Sequence, residues 1–140
     1  MQVPNDYASI VSLFFKKHLA GTRDMSINTI RAYRDVFVLF NTYIESRCGF
    51  RLEKMKIDNL SRDLILQFLD YLEAERGYSA SSRNHRLAAL KSFAKYVQVE
   101  FPDEMALCQS IISIQMKNTT RPVIQYLNQN QTESLMEQPD

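Results

Sequence analysis

Residues 77–97 read GYSASSRNHRLAALKSFAKYV. Leu87, Leu90, Phe93, Ala94 and Val97 recur at three- and four-residue spacing, which at ~100° per residue gathers them on one side of an α-helix. Gly77 ends what precedes. Ser79 offers a hydroxyl oxygen to a free first-turn N–H, so the spacing predicts a helix from Ser79 to about Val99. Opposite the apolar stripe fall Ser81, Asn84, His85, Ala88, Lys91, Ser92 and Lys95. Arg83 and Arg86 flank the stripe near the helix start, with stems long enough to swing both guanidinium groups outward. The segment from Ser79 to Val99 thus holds four cations, Arg83, Arg86, Lys91 and Lys95, and no Asp or Glu. The whole 140-residue chain carries a formal charge of only +1, so the remainder is net acidic.

The same periodicity extends outward in both directions. Tyr7, Ile10, Val11, Phe14 and Phe15 mark a first helix over Asp6 to Leu19, broken by Gly21-Thr22-Arg23-Asp24. Ser26 caps a second helix reaching about Arg47, with Ala32, Tyr33, Val36, Leu39, Phe40 and Tyr43 expected on its core face and Gly49 at its end. Arg51 to Leu60 is a polar connector. Ser61 caps a third helix carrying Leu64, Ile65, Phe68, Leu69 and Leu72. Pro102 sits at a first-turn position before a short helix over Met105 to Ile114. Gln115 to Ile124 reads as a linker, and Thr132 to Glu137 as one further short helix. With only three Gly and four Pro, the chain lacks the turn residues of a many-stranded β fold. The expected fold is all-α, a bundle of four to five helices.

Composition excludes several classes. The two cysteines, Cys48 and Cys108, lie far apart without a CxxC or Cys/His cluster, which argues against a disulfide or zinc site and fits a reducing cytosol. No run approaches the ~20 apolar residues of a membrane span, and the N-terminus lacks a signal-peptide pattern. No phosphate loop, nucleophile elbow or metal-ligand spacing is present, so neither a stand-alone enzyme nor a bound metal or cofactor is expected. His18 and His85 have no partner pattern for a metal or a catalytic triad.

The cationic helix face remains to be explained. A solvated surface is the commoner fate of a charge run. However, small residues (Ala88, Ser92) beside Lys91 and Lys95 would allow close approach to a phosphate backbone, cations would displace its counterions, and an Asn can read a base edge. The second and fourth helices also start alike, with Ser26-x-x-Thr29 and Ser79-x-x-Ser82. Good capping chemistry alone accounts for such pairs. Their coincidence with cations on the outward faces, including Arg31 and Arg34 on the second helix, favours DNA. The rival is a helical protein–protein module, whose exposed apolar patch would come from the first helix or from Ile111, Ile112, Ile114 and Met116.

Ser26-Ile-Asn-Thr-Ile-Arg-Ala-Tyr33 followed, after a long gap, by residues 78–93 resembles the N-terminal core-binding domain of tyrosine recombinases, or phage integrases. Ser26, Thr29 and Tyr33 match one family pattern; Ser79, Asn84, Arg86, Leu87, Ala89, Leu90, Lys91 and Phe93 match the other, with Ser82 in place of Thr, Lys91 in place of Arg and His85 where Arg is frequent. The resemblance covers Asp6 to Val99. It implies a SAM-like bundle over residues 1–116, with residues 117–140 as linker and the beginning of a C-terminal catalytic domain absent from this chain. The tail from Val123 is similar to the lead-in to that domain.

The resemblance further implies that the second and fourth helices cross the major groove of a double-stranded recombination site. The nucleophilic tyrosine would belong to the missing domain, whereas Tyr33, Tyr43, Tyr71, Tyr78, Tyr96 and Tyr126 are core or linker residues. The expected DNA-binding set is Asn28, Thr29, Arg31, Arg34, Ser81, Ser82, Arg83, Asn84, His85, Arg86, Lys91 and Lys95. Thr29 and Ser82 would donate to phosphates, and Arg83 and Asn84 would reach base edges. Lys16, Lys17 and His18 form a weaker phosphate site or simply complement a helix C-terminus. Implied partners are duplex DNA and other recombinase subunits, with no membrane; the implied setting is the bacterial or phage-infected cytoplasm, and the implied parent a recombinase or transposase of a mobile element.

Overall fold

The computed structural model of the chain describes residues 6–21 and 25–119. Among these residues five α-helices follow in chain order: α1 (Tyr7–Leu13), α2 (Ile27–Tyr43), α3 (Arg62–Ala74), α4 (Ala80–Glu100) and α5 (Met105–Ile112). The described residues contain no strand, only an isolated bridge between Asp6 and Lys56. The expected helix over Thr132 to Glu137, and the tail as a whole, lie outside the described residues.

Helix starts follow local chemistry. The hydroxyls of Ser26, Ser61 and Ser79 accept from the backbone N–H of Thr29, Leu64 and Ser82 at 3.0, 3.1 and 3.1 Å, each satisfying a donor that lacks an intrahelical partner. Asp6 does the same for Ser9 at 2.8 Å. Two helices continue beyond their α-helical parts in a wider π-helical turn, Phe14–Leu19 after α1 and Ile44–Cys48 after α2. The second such turn ends at Gly49, whose φ of 77° is the left-handed conformation that glycine adopts without a Cβ penalty.

The bundle is built round α4. Arg83, Leu87, Ala89, Leu90, Phe93, Ala94, Tyr96 and Val97 are all buried, which covers about half of the helix circumference at ~100° per residue. Phe93 is the hub. Its ring centroid lies 5.3 Å from that of Phe14, 5.3 Å from Phe37 and 6.2 Å from Tyr7, all near edge-to-face. The buried Tyr7 hydroxyl donates to Asn41 Oδ1 at 2.6 Å, tying α1 to α2.

The core face of α2 is rotated from the expected one. Val36, Phe37, Phe40 and Tyr43 are buried, Tyr33 and Leu39 are half-buried, and Ala32 is exposed. Phe37 turns inward because Phe14, Phe15 and Phe93 offer it aromatic edges. The connector between α2 and α3 is more than polar filler: Met55, Ile57 and Leu60 are buried, and Met55 O accepts from the Tyr7 N–H at 3.0 Å. Arg62 at the start of α3 donates to Ser110 O and Ser113 Oγ, both at 2.7 Å, placing a cation at the C-terminal end of α5.

Candidate nucleic-acid interface

The outward side of α4 carries the expected small and cationic residues. Ser81, His85 and Lys95 are exposed; Ser82, Arg86, Ala88, Lys91 and Ser92 are half-buried. Burial, and then the charges of Lys95 and Arg83, hold the Lys91 amine below its ordinary range. Neighbouring cations therefore feel one another here. Among the described residues, neither Lys91 nor Lys95 forms an ion pair, so this face keeps its positive potential. Arg86 is braced: its guanidinium lies over the Tyr78 ring at 4.8 Å, and Nη1 donates to Ser82 O at 3.2 Å.

Arg83 and Asn84 are not available as expected. Arg83 is 5% exposed. Its guanidinium points inward, with Nε 3.9 Å from Glu73 Oε1 and Nη1 donating to Asn84 Oδ1 at 3.1 Å and to Gln115 O at 3.5 Å. Asn84 commits its carboxamide to one residue of the backbone: Nδ2 donates to Lys117 O at 2.9 Å, and Oδ1 accepts from Lys117 N–H at 3.0 Å. The reason is tertiary. Glu73 at the end of α3 and the segment after α5 meet the first turns of α4 and claim both side chains. Both side chains, expected to reach base edges, are thus engaged within the fold.

On α2 the cap hydroxyls of Ser26 and Thr29 stand 2.9 Å apart, within hydrogen-bonding distance. Asn28, Arg31 and Arg34 are exposed, and among the described residues neither arginine forms an ion pair, although Asp35 lies beside them on the helix. Ile27 (63% exposed) and Val38 (59%) share this face, flanking the arginines. Sequence reasoning passed over both, yet their signal is present: each is an apolar residue out of phase with the α2 core stripe. Lys16 and Lys17 are exposed near the end of the first helix, while His18 stacks on Phe14 at 5.6 Å and meets Tyr96 at 5.2 Å.

Two alternatives lose ground on the geometry. Ile111 and Ile114 are buried, so the apolar patch expected round the fifth helix does not form; Met116 alone of that set is well exposed. A shallow groove between the ends of α2 and α3 is walled by Tyr43, Tyr71 and the Arg47–Glu75 pair, with both N–H···O contacts at 2.8 Å. Asp70 also lines it, so one positive charge faces two negative ones and the groove does not attract an anion. Among the described residues no group of His, Cys, Asp or Glu is placed to hold a metal ion, and no helix is long and apolar enough to cross a membrane.

Comparison with known proteins agrees with this architecture. Residues 14–100 match the family described as phage integrase, N-terminal SAM-like domain. Two Sinorhizobium fredii proteins that bear integrase/recombinase names, y4rC and y4rD, are 33% and 29% identical over 133 residues. That alignment takes in 95% of this chain but only 40% and 47% of theirs, so the chain spans less than half the length of these curated relatives. The tyrosine recombinase XerC of Roseiflexus sp. is 36% identical over 83 residues, covering 59% of this chain and 25% of its own. No solved structure matches. With a helical bundle built round α4 and a family match over most of the described residues, the chain belongs to the phage integrase N-terminal SAM-like family.

Proposed function

We propose that this chain binds double-stranded DNA through the outward faces of α2 and α4, as the N-terminal arm of a site-specific tyrosine recombinase or integrase. The observation that carries the proposal is a set of cations without an ion pair among the described residues, Arg31, Arg34, Lys91 and Lys95, beside small polar residues on two helices with hydroxyl-capped first turns. Such a surface neutralises phosphates, releases counterions and lets a helix approach the duplex. Arg31, Arg34, Lys91 and Lys95 contact phosphates or bases. Asn28, Thr29, Ser81, Ser82, His85 and Arg86 border them as hydrogen-bond donors or acceptors. Arg83 and Asn84 drop out of the contact set.

Strand cleavage and rejoining belong to another part of the parent protein, which acts on the recombination site of a mobile element and assembles with further recombinase subunits. The arm alone makes only a handful of phosphate contacts, so its affinity for duplex is roughly micromolar or weaker at physiological salt. Fluorescence anisotropy with a labelled duplex, titrated from low to moderate salt, tests the reading. Expected is an affinity whose logarithm falls linearly with log salt, by about 0.9 per phosphate neutralised. No binding at low salt, or binding indifferent to salt, rejects it.

The rival reading, a protein–protein surface, draws on the exposed Ile27 and Val38. Concentration-dependent self-association without duplex binding would favour it.

A further inference from the structure

The segment following α5 has no regular secondary structure through Thr119, yet it is held at several points. Asn84 grips the Lys117 backbone at two atoms, donating to its carbonyl at 2.9 Å and accepting from its N–H at 3.0 Å. The Lys117 ammonium meets Glu73 Oε1 at 2.6 Å. Just upstream, Gln115 O lies 3.5 Å from Arg83 Nη1, which also holds the Asn84 oxygen at 3.1 Å. Ile114 anchors the segment's start in the core.

A carboxamide paired in this way with a backbone N–H and C=O copies the contacts of a neighbouring β-strand. It fixes where the chain runs without depending on the side chain it passes. The Asn84 carboxamide donates once and accepts twice, and the buried Arg83 orients it. We propose that Asn84 is a backbone clasp for the exit segment. Together with Glu73 and Arg83 it fixes the point beside the first turns of α4 from which the rest of the chain departs after Thr119. The direction in which any following domain leaves the bundle is then set by α4 itself rather than by a free linker. This inference stands apart from DNA binding, and its test uses no DNA.

Trypsin supplies the readout. Lys117 is the last cleavable position, because Arg121 is followed by Pro122, and a cut after Lys117 releases residues 118–140 as one peptide identifiable by mass. Proteolysis of a folded chain tracks the population of the opened state when reclosing is fast. The native 140-residue chain should release that peptide slowly. Asn84→Ala should release it about tenfold faster, the scale for removing two hydrogen bonds, while the denaturation midpoint shows the bundle still folded. Should Asn84→Ala fail to fold, Asn84→Asp serves. Its carboxylate still accepts from the Lys117 N–H but cannot donate to the carbonyl, and cleavage should fall between native and fully open rates. Release from the native chain at the rate seen in urea, or release from both variants no faster than native, would overturn the clasp.

Discussion

Arg83 Nε stands 3.9 Å from Glu73 Oε1, the same carboxylate oxygen that receives Lys117 Nζ at 2.6 Å. A guanidinium that counted as a surface cation in the sequence is thus the buried centre of a polar cluster joining α3, α4 and the segment after α5. Removing Arg83 takes one cation from Glu73 but leaves it Lys117, so the cost stays below that of a buried charge stripped of every counterion. Glu73 keeps 25% of its side chain in solvent, which reduces the penalty below the ~3–5 kcal/mol of a fully buried pair. Arg83→Ala should therefore destabilise the bundle by about 2 kcal/mol, and Arg83→Met, which keeps the packed stem, by less. Urea denaturation gives both values. An unchanged midpoint for Arg83→Ala would show that the cluster contributes nothing to folding.

Phe93 is 1% exposed and contacts the rings of Tyr7, Phe14 and Phe37. Truncating it removes edge contacts to α1, its π-helical extension and α2 at once. Phe93→Ala should cost ~3–5 kcal/mol, enough to unfold much of a marginally stable small domain. Phe93→Leu, which fills most of the space, should retain a cooperative transition at a lowered midpoint. Equal destabilisation by both variants would mean that aromatic geometry, rather than volume, holds the hub.

Features set by neighbours in sequence were legible before the structure. The caps at Ser26, Ser61 and Ser79 and the stop at Gly49 each depend on a few consecutive residues, and each stands where the sequence places it. So does the α4 stripe of Leu87, Leu90, Phe93, Ala94 and Val97. What escaped depends on distant partners. Phe37 faces inward because Phe14 and Phe93 surround it, and no periodicity within α2 announces those rings. The burial of Arg83 needs Glu73 from another helix and Gln115 from 32 positions away. A charge count along one helix treats every cation as solvent-facing. It is therefore blind to the one whose counterion arrives from elsewhere.

Glu104 lies beside Asp58 at the start of the last described helical stretch, within hydrogen-bonding reach of its carboxyl group. Burial, and then the hydrogen bond and charge of Asp58, push the Glu104 carboxyl above its ordinary range. A raised folded-state value means that the folded chain binds this proton more tightly than the unfolded one. Its contribution to stability is therefore fully present below the unfolded Glu value of about 4.3 and is lost as pH rises through the folded value. Glu104→Gln keeps the shape and removes the ionisation. It should raise the denaturation midpoint at neutral pH, with the advantage shrinking as pH falls toward about 4. A variant less stable than the native chain at neutral pH would contradict the assignment.

Lys91 and Lys95 occupy the outward side of α4 with no ion-pair partner among the described residues, and the lowered Lys91 amine shows that burial and neighbouring cations already act on it. Both lie on the face proposed to meet phosphate. Replacing both with Ala should weaken binding to cognate and scrambled duplexes alike, because phosphate contacts carry no sequence information. The slope of log affinity against log salt should fall by roughly 1 for each phosphate left without its lysine. Folding should hardly change, since neither side chain forms a described ion pair or belongs to the core, so the denaturation midpoint serves as the internal control. Repeating the titration with Arg31→Ala and Arg34→Ala then asks whether α2 shares the duplex. If the α2 changes flatten the slope and those on α4 do not, docking runs along α2 alone. If neither pair moves the slope, the cations on both helices are solvated surface and the duplex lies elsewhere.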